Sequence, residues 1–344
     1  MKEILKLQQK IVPEMLKLLE KRYTILRTIY YKQPIGRRIL ANDLGIGERI
    51  VRTEVNFLKS QNLIDIDSSG MTVTKDGEKI IDKLKEFIHE LKGLSDIEEL
   101  IRNKLEISNV IIVPGDLDED ITVKNELGKV AANYLRGILT SGNIIAVTGG
   151  TTVKEVVDNM PKINNLNNLV VVPARGGIGR DVETQANTLV ANLAGKINAN
   201  YKLMHVPDNL SEEAIEAVMK EKQIKEVLDI IHQADILIHG IGIAEVMAER
   251  RGVSEEEIDS INHNGALGEA FGYYFDMEGR IVYSSPTIGI KHDNVKHVKD
   301  LIAISGGTSK GKAILAAELR NTNSTLITDE GAAIEIMKIL EEKN

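Results

Sequence analysis

Residues 144–152 read "IIAVTGGTT", and residues 302–310 read "IAISGGTSK". Each is an apolar run that breaks into two glycines and hydroxyl side chains, followed by residues a helix accepts. A short, Ile- and Val-rich run that stops at Gly-Gly is a strand entering a tight turn. Four more runs have this form: "NVIIVPG", "NLVVVPARGG", "ADILIHGIG" and "STLITDEG". Helix-like runs lie between them, among them "ELGKVAANYLRGIL", "TQANTLVANLAG" and "KGKAILAAELRN". Near-continuous apolar strands joined by helices predict an α/β domain, a Rossmann-like parallel sheet covered on both faces. In such sheets ligands bind beyond the carboxyl ends of the strands.

The two Gly-Gly turns sit at those ends. Gly149 and Gly150 let the backbone turn and expose its N–H groups. Thr151 and Thr152 add hydroxyls, and the next helix points its positive end at the same place. That combination favours a phosphate. "SGGTSK" repeats the arrangement and adds Lys310. The plain alternative is glycine needed for chain geometry alone. "GGTSKGKA" (306–313) nearly matches a P-loop, with Gly306, Gly311 and Lys312, but Ala313 stands where a hydroxyl should hold magnesium. Nucleotide hydrolysis is therefore not expected. "VPARGG" supplies Arg175, "ETQAN" Gln185, "AEVMAERRG" Arg250 and Arg251, and "NGALGEAFGYYFD" Glu269. Arginines at strand ends suit bidentate phosphate recognition, and with the Gly-Gly-Thr turns they point to a ligand with two anionic ends. For each arginine taken singly, a surface ion pair is the alternative. The histidines show no metal-ligand spacing, and no Ser-His-Asp grouping stands out.

The segment before this domain reads differently. "ILKLQQKIVPEMLKLLEKRYTILRTIYYKQ" (4–33) carries apolar residues at helical spacing and predicts two helices with a break near Pro13. "PIGRRILANDLGIGERIVRTEVNFLKSQNLI" (34–64) then gives a short helix, a turn at Gly45 and a second helix. Ile39, Leu40 and Leu44 are expected to face inward from the first, and Ile50, Val51, Val55 and Leu58 from the second. "LIDIDSSGMTVTKDG" (63–77) reads as a hairpin around Ser68, Ser69 and Gly70. Helix, turn, helix and hairpin make a winged helix-turn-helix. Its second helix shows Glu48, Arg49, Arg52, Thr53 and Asn56 on the polar side. Arg and Asn are the types that read guanine and adenine edges. Lys75 lies close enough to the wing to reach a phosphate. Such domains also bind protein, and a salt-dependent DNA shift separates the two readings. The helix expected over 77–93 suits a linker or a dimer seam, and Gly93 marks the boundary between a 1–92 DNA-binding domain and a 93–344 effector domain.

Charge supports that division. The chain of 344 residues carries a net charge of −8, yet residues 1–92 hold 18 Lys and Arg against 13 Asp and Glu. A basic head on an acidic body is the pattern of a DNA reader joined to a sensor. There are no cysteines, which excludes disulfides, thiolate metal sites and a cysteine nucleophile and fits a reducing cytoplasm. The first residues are too charged for a secretory signal, and no apolar run approaches a membrane span. A cytoplasmic protein is expected, with no cofactor and no membrane partner.

The winged helix at about 22–75 together with "VTGGTT", "VPARGG", "ETQAN", "GEAFGYYFD" and "SGGTSKGKAI" resembles the SorC family of bacterial sugar-responsive repressors over essentially the full length. The resemblance implies an effector domain similar to sugar-phosphate isomerases and glucosamine-6-phosphate deaminase, without catalysis. It implies repression of glycolytic genes on operator DNA, relieved by fructose-1,6-bisphosphate, and a homotetramer built as a dimer of dimers on a two-part operator; the residues themselves leave a homo-oligomer open as dimer or tetramer. It puts one phosphate on Thr151, Thr152 and Lys310 with the Gly149-Gly150 backbone. The sugar and the other phosphate fall to Arg175, Gln185, Arg250 and Glu269. The rival reading is a sugar-phosphate isomerase or deaminase with an added head, and an aldose-ketose conversion assay discriminates.

Overall fold

The computed structural model describes residues 7–8, 10–177, 181–207, 211–317 and 323–342. Contacts divide the chain into two compact units, Met1–Asp96 and Ile97–Asn344, the division falling inside the helix Leu94–Leu105.

In the first unit the helix Pro13–Lys32 begins at its proline, which needs no hydrogen-bond partner at a helix start, and Val12 before it is non-helical. Two further helices follow, Arg37–Asp43 and Glu48–Ser60, joined through Gly45 at φ +61°. Strands β1 (Ile64–Ile66) and β2 (Met71–Val73) pair antiparallel, and the carboxylate of Asp67 accepts from the Ser69 and Gly70 N–H groups to close the turn. The helix Lys75–Leu91 starts on Thr74, whose hydroxyl accepts from the Gly77 N–H. Leu26, Ile29, Leu40, Val51, Val55, Leu58, Ile64 and Met71 form one core. The helix-turn-helix and wing stand as the sequence predicts, with two differences. Ile39 and Ile50 are exposed at 58% and 46%, and Ala41 takes the inward place on the first helix.

The second unit is built on a seven-stranded sheet of strands β3 (Asn109–Val113), β4 (Ile144–Val147), β5 (Val170–Pro173), β6 (Asn200–Tyr201), β7 (Ile236–Gly240), β12 (Asp300–Ile304) and β13 (Ser324–Asp329). Their order across the sheet is β3-β13-β12-β7-β4-β5-β6. All pair parallel. Ile145, Val147, Val171, Ile236, Ile238, Ile302, Ile304 and Ile327 pack one face against the helices Thr122–Ile138, Thr151–Asn159 and Ala186–Ile197. Gly128 lets two of these helices close up, since a side chain there would overlap Glu155. From β4 the chain steps outward to β5 and β6, then returns to place β7 on the other side of β4. It next steps the opposite way through β12 and β13. The order therefore reverses between β4 and β7, and the crevice beyond their carboxyl ends is where such a sheet takes a ligand.

The strand run also hides a second sheet. Strands β8 (Gly242–Ile243), β9 (Gly268–Ala270), β10 (Tyr273–Phe275) and β11 (Ile281–Ser284) form an antiparallel sheet of order β11-β10-β9-β8. It has its own small core of Ala244, Ala248, Ile261, Ala266 and Tyr274.

Candidate functional site

A cavity of about 620 Å³ opens at the crevice between β4 and β7, within the range of small-ligand pockets. Gly149, Gly150, Thr151, Thr152, Arg175, Gln185, Arg250, Glu269 and Lys310 all line it. They arrive from different strand ends: the Gly-Gly-Thr turn after β4, Arg175 after β5, Arg250 from the helix Ala244–Arg251 after β8, Lys310 from the turn after β12, and Glu269 from β9. Residues separated by more than 160 positions in sequence thus share one wall because the parallel sheet brings its carboxyl ends to one edge.

The first turn works through its helix. Gly150 adopts φ +130°, a conformation that favours glycine, and no side chain caps the helix Thr151–Asn159 that follows. The leading N–H groups of an α-helix have no partner within it and carry its partial positive charge. The Gly150 N–H, by contrast, donates to Thr184 O at 2.9 Å. Thr151 and Thr152, which begin that helix, line the cavity.

The second turn corrects the expectation of two alike. Its donors are taken by carboxylates of the chain itself. The Gly307 N–H donates to Asp329 Oδ2 at 2.8 Å, Thr308 N–H and Oγ1 donate to Asp116, and Ser309 N–H and Oγ donate to Asp118. A turn whose N–H groups already hold three carboxylates is not an open phosphate cradle. Only Lys310 continues from it into the cavity. Burial disfavours the charged form of the Lys310 ammonium, and so does nearby Arg250, while Asp118 and Asp329 oppose this; its pKa is lowered.

A buried charge network also lines the cavity. Arg251 Nη2 donates to Glu269 Oε1 at 2.7 Å, and its Nη1 to the Tyr274 hydroxyl at 3.1 Å. The Gly272 N–H also donates to Glu269 Oε1, and Arg175 lies 3.7 Å from it. Arg251 and Arg175 are buried, whereas Arg250 is exposed at the rim. Sequence alone does not separate Arg250 from Arg251; the helix turns one to solvent and the other inward. Thr148, Thr184, Met247 and Phe271 lie within "VTGGTT", "ETQAN", "AEVMAERRG" and "GEAFGYYFD" and also line the cavity, as does Asp181, which no quoted motif contains. Beside it, His239 near the end of β7 is fully buried against the Phe271 ring at 4.3 Å between centroids, and burial lowers its pKa to about 4. Among the described residues no group of His, Asp and Glu is arranged to hold a metal ion.

In the first unit Arg49, Arg52, Thr53 and Asn56 are exposed together on the helix Glu48–Ser60, while Val51, Glu54, Val55 and Leu58 are buried. Lys75 is exposed and opens the helix Lys75–Leu91, just past the wing. Glu54 is the residue the sequence reading missed. It is buried, ion-paired to Lys21 at 2.6 Å and Arg22 at 2.8 Å. Burial pushes its carboxyl up, but hydrogen bonds from Lys21 and Arg22 outweigh that and hold it below the ordinary value. The pair locks the second helix of the motif to Pro13–Lys32, with Arg22 also stacked 3.5 Å over the Phe57 ring.

Comparison with known proteins agrees with both units. Residues 18–88 match the CggR N-terminal DNA binding domain family, and residues 89–338 match a sugar-binding domain family. A sugar-binding α/β domain behind a DNA-binding head defines a transcriptional regulator, not an enzyme, and the chain belongs to the SorC family of such regulators. It is 44% identical over 339 residues to the central glycolytic genes regulator of Priestia megaterium (strain DSM 319 / IMG 1521), covering 98% of this chain and 99% of that protein. It is 41% identical over 338 residues to the protein of the same name from Bacillus subtilis (strain 168), covering 98% and 99%. Among solved structures, a SorC family transcriptional regulator from Enterococcus faecalis is 40% identical with a TM-score of 0.66, covering 70% of this chain and 99% of that one. The full-length sorbitol operon regulator SorC from Klebsiella pneumoniae is 20% identical with a TM-score of 0.64 and covers 92% of this chain and 99% of its own, a likeness of fold alone. No helix among the described residues is long and apolar enough to cross a membrane.

Proposed function

We propose that this chain represses glycolytic genes and that fructose-1,6-bisphosphate, bound in the cavity between β4 and β7, weakens its hold on operator DNA. The observation that carries the reading is the meeting of an uncapped helix start, Lys310, Arg250 and Arg175 around one cavity. One phosphate sits at the start of Thr151–Asn159 with Thr151, Thr152, the Gly149-Gly150 turn and Lys310. The sugar and second phosphate meet Arg175, Gln185, Arg250 and Glu269. The names of the similar proteins from P. megaterium and B. subtilis support the target genes.

Arg49, Arg52, Thr53 and Asn56 face base edges in the major groove, and Lys75 a backbone phosphate. The protein works as a homo-oligomer, a tetramer built as a dimer of dimers, so that paired heads span a two-part operator. The effector acts by its different affinity for two protomer arrangements, since nothing else shifts an equilibrium between them. Thermal unfolding with fructose-1,6-bisphosphate, fructose-6-phosphate and glucose-6-phosphate tests the effector. A ligand bound only to the folded state raises the midpoint by mass action, and the bisphosphate should raise it most. No shift with any of the three removes the effector assignment.

A further inference from the structure

The turn that delivers Lys310 is fixed from outside the cavity. Thr308 N–H and Oγ1 donate to the two oxygens of Asp116 at 3.1 and 2.6 Å. Ser309 N–H and Oγ donate to the two oxygens of Asp118 at 2.7 and 3.1 Å. Both aspartates belong to the loop after β3, and neither is among the described residues that line the cavity. That loop is itself anchored. The Leu117 N–H donates to Asp329 Oδ2 at 2.7 Å, the Gly115 N–H to Glu330 Oε2 at 2.8 Å, and the Asp118 N–H to Asp116 Oδ1 at 2.9 Å. Glycines make the close approach possible: a side chain at Gly331 would overlap the Asp116 carboxylate, and one at Gly307 (φ +104°) the Asp118 carboxylate.

Lys310 needs such a hold. Burial and Arg250 disfavour its charged form, and Asp118 and Asp329 only partly offset them, so an unrestrained turn would relax by swinging the ammonium toward water. A lysine stem also loses rotamer freedom whenever its head is fixed. Anchoring the two residues before it, through four hydrogen bonds to carboxylates, moves that loss into folding and leaves less to be lost when a ligand arrives.

We propose that Asp116 and Asp118 are positioning residues for the anion site, holding the turn so that Lys310 faces the ligand without touching it themselves. The inference rests on the reading of Lys310 as a phosphate contact. Calorimetric titration of the full-length protein with fructose-1,6-bisphosphate tests it with Asp116→Ala, Lys310→Met and the double variant. Asp116→Ala should weaken binding about tenfold and Lys310→Met at least as much. The double variant should bind no more weakly than Lys310→Met alone, because the clamp acts only through that side chain. A general loosening of the fold would not produce that non-additivity. Thr308→Val and Ser309→Ala remove single hydroxyl contacts and should each give a smaller loss in the same direction, also abolished by Lys310→Met; they carry the test if Asp116→Ala does not fold. Wild-type affinity in the clamp variants with weak binding by Lys310→Met would overturn the positioning role and leave the site standing, as would additive losses. Equal binding by wild type and Lys310→Met would overturn the site and this inference together.

Discussion

Replacing Lys310 by methionine keeps the length of the side chain and removes its charge, so it separates what the ammonium does for a ligand from what it does for the fold. Two unit charges about 4 Å apart attract by about 4 kcal/mol at the effective dielectric of a partly wet site, and a phosphate dianion roughly doubles that. Most of this is lost to desolvation. Hydrogen bonds to charged groups leave about 1.5–3 kcal/mol net, an affinity loss of about 10- to 150-fold. The fold should respond the other way. The Lys310 pKa lies below its ordinary 10.5, first from burial and then from Arg250. A cation with a lowered folded-state pKa adds stability only above its unfolded value and subtracts it as pH falls through the folded value. At pH 7 the charged ammonium therefore costs the ligand-free protein stability. Lys310→Met should show a ligand-free unfolding midpoint equal to or above wild type, with sharply reduced binding of fructose-1,6-bisphosphate by calorimetry. Binding within about twofold of wild type, or a ligand-free midpoint several degrees lower, would refute the reasoning. The second outcome would make Lys310 a structural partner of Asp118 and Asp329.

The other charged positions divide in the same way between fold and function. Arg52→Ala should cost about 1–3 kcal/mol of operator affinity and narrow the gap between operator and random DNA, with the effector affinity unchanged; fluorescence anisotropy on both DNAs checks it. Glu269→Ala leaves Arg251 buried without its carboxylate and should cost about 3–5 kcal/mol in urea unfolding, whereas Arg251→Met combined with Glu269→Leu should recover much of the loss. His239 has a folded-state pKa of about 4 against an ordinary 6.5, so its contribution is complete above pH 6.5 and is lost as pH falls toward 4, by up to about 3 kcal/mol. His239→Asn should flatten that acid limb of the urea midpoint against pH, and an unchanged limb would assign it to other groups.

The parallel sheet was legible because its strands are apolar on both faces and end in Gly-rich turns. "IIAVTGG" and "IAISGG" announce both the element and its end. The winged helix was legible from helical periodicity and a hairpin turn that Asp67 closes in the structure. The four-stranded sheet was not, because β8 to β11 run only two to four residues each and show no alternation long enough to register. The two Gly-Gly-Thr turns read alike, yet only the first keeps its hydroxyls for the cavity. What separates them is Asp116 and Asp118, almost 200 residues before the second turn in sequence. Ile50 and Arg251 show the same limit at the scale of one helix turn. A shift of one position moves a side chain by about 100°, and residue type does not decide which neighbour faces inward.

The cavity draws its walls from both halves of the sheet. Thr151, Thr152 and Arg175 follow β4 and β5 on one side of the switch point, and Arg250 and Lys310 follow β8 and β12 on the other. A ligand that touches all of them ties the two halves together. Glu269 Oε1 is already engaged by Arg251 and the Gly272 N–H, which fixes this part of the wall. Under the proposed function, binding energy goes into choosing between arrangements of the protein. That use has a thermodynamic signature. If the effector lowers operator affinity by some factor, saturating operator must lower effector affinity by the same factor. Titrating fructose-1,6-bisphosphate into the free protein and into its operator complex, and operator into the free and effector-bound protein, gives both factors independently. Equal factors greater than one mean that the two sites share one equilibrium; a factor of one on both sides would mean that the ligand binds here without governing DNA.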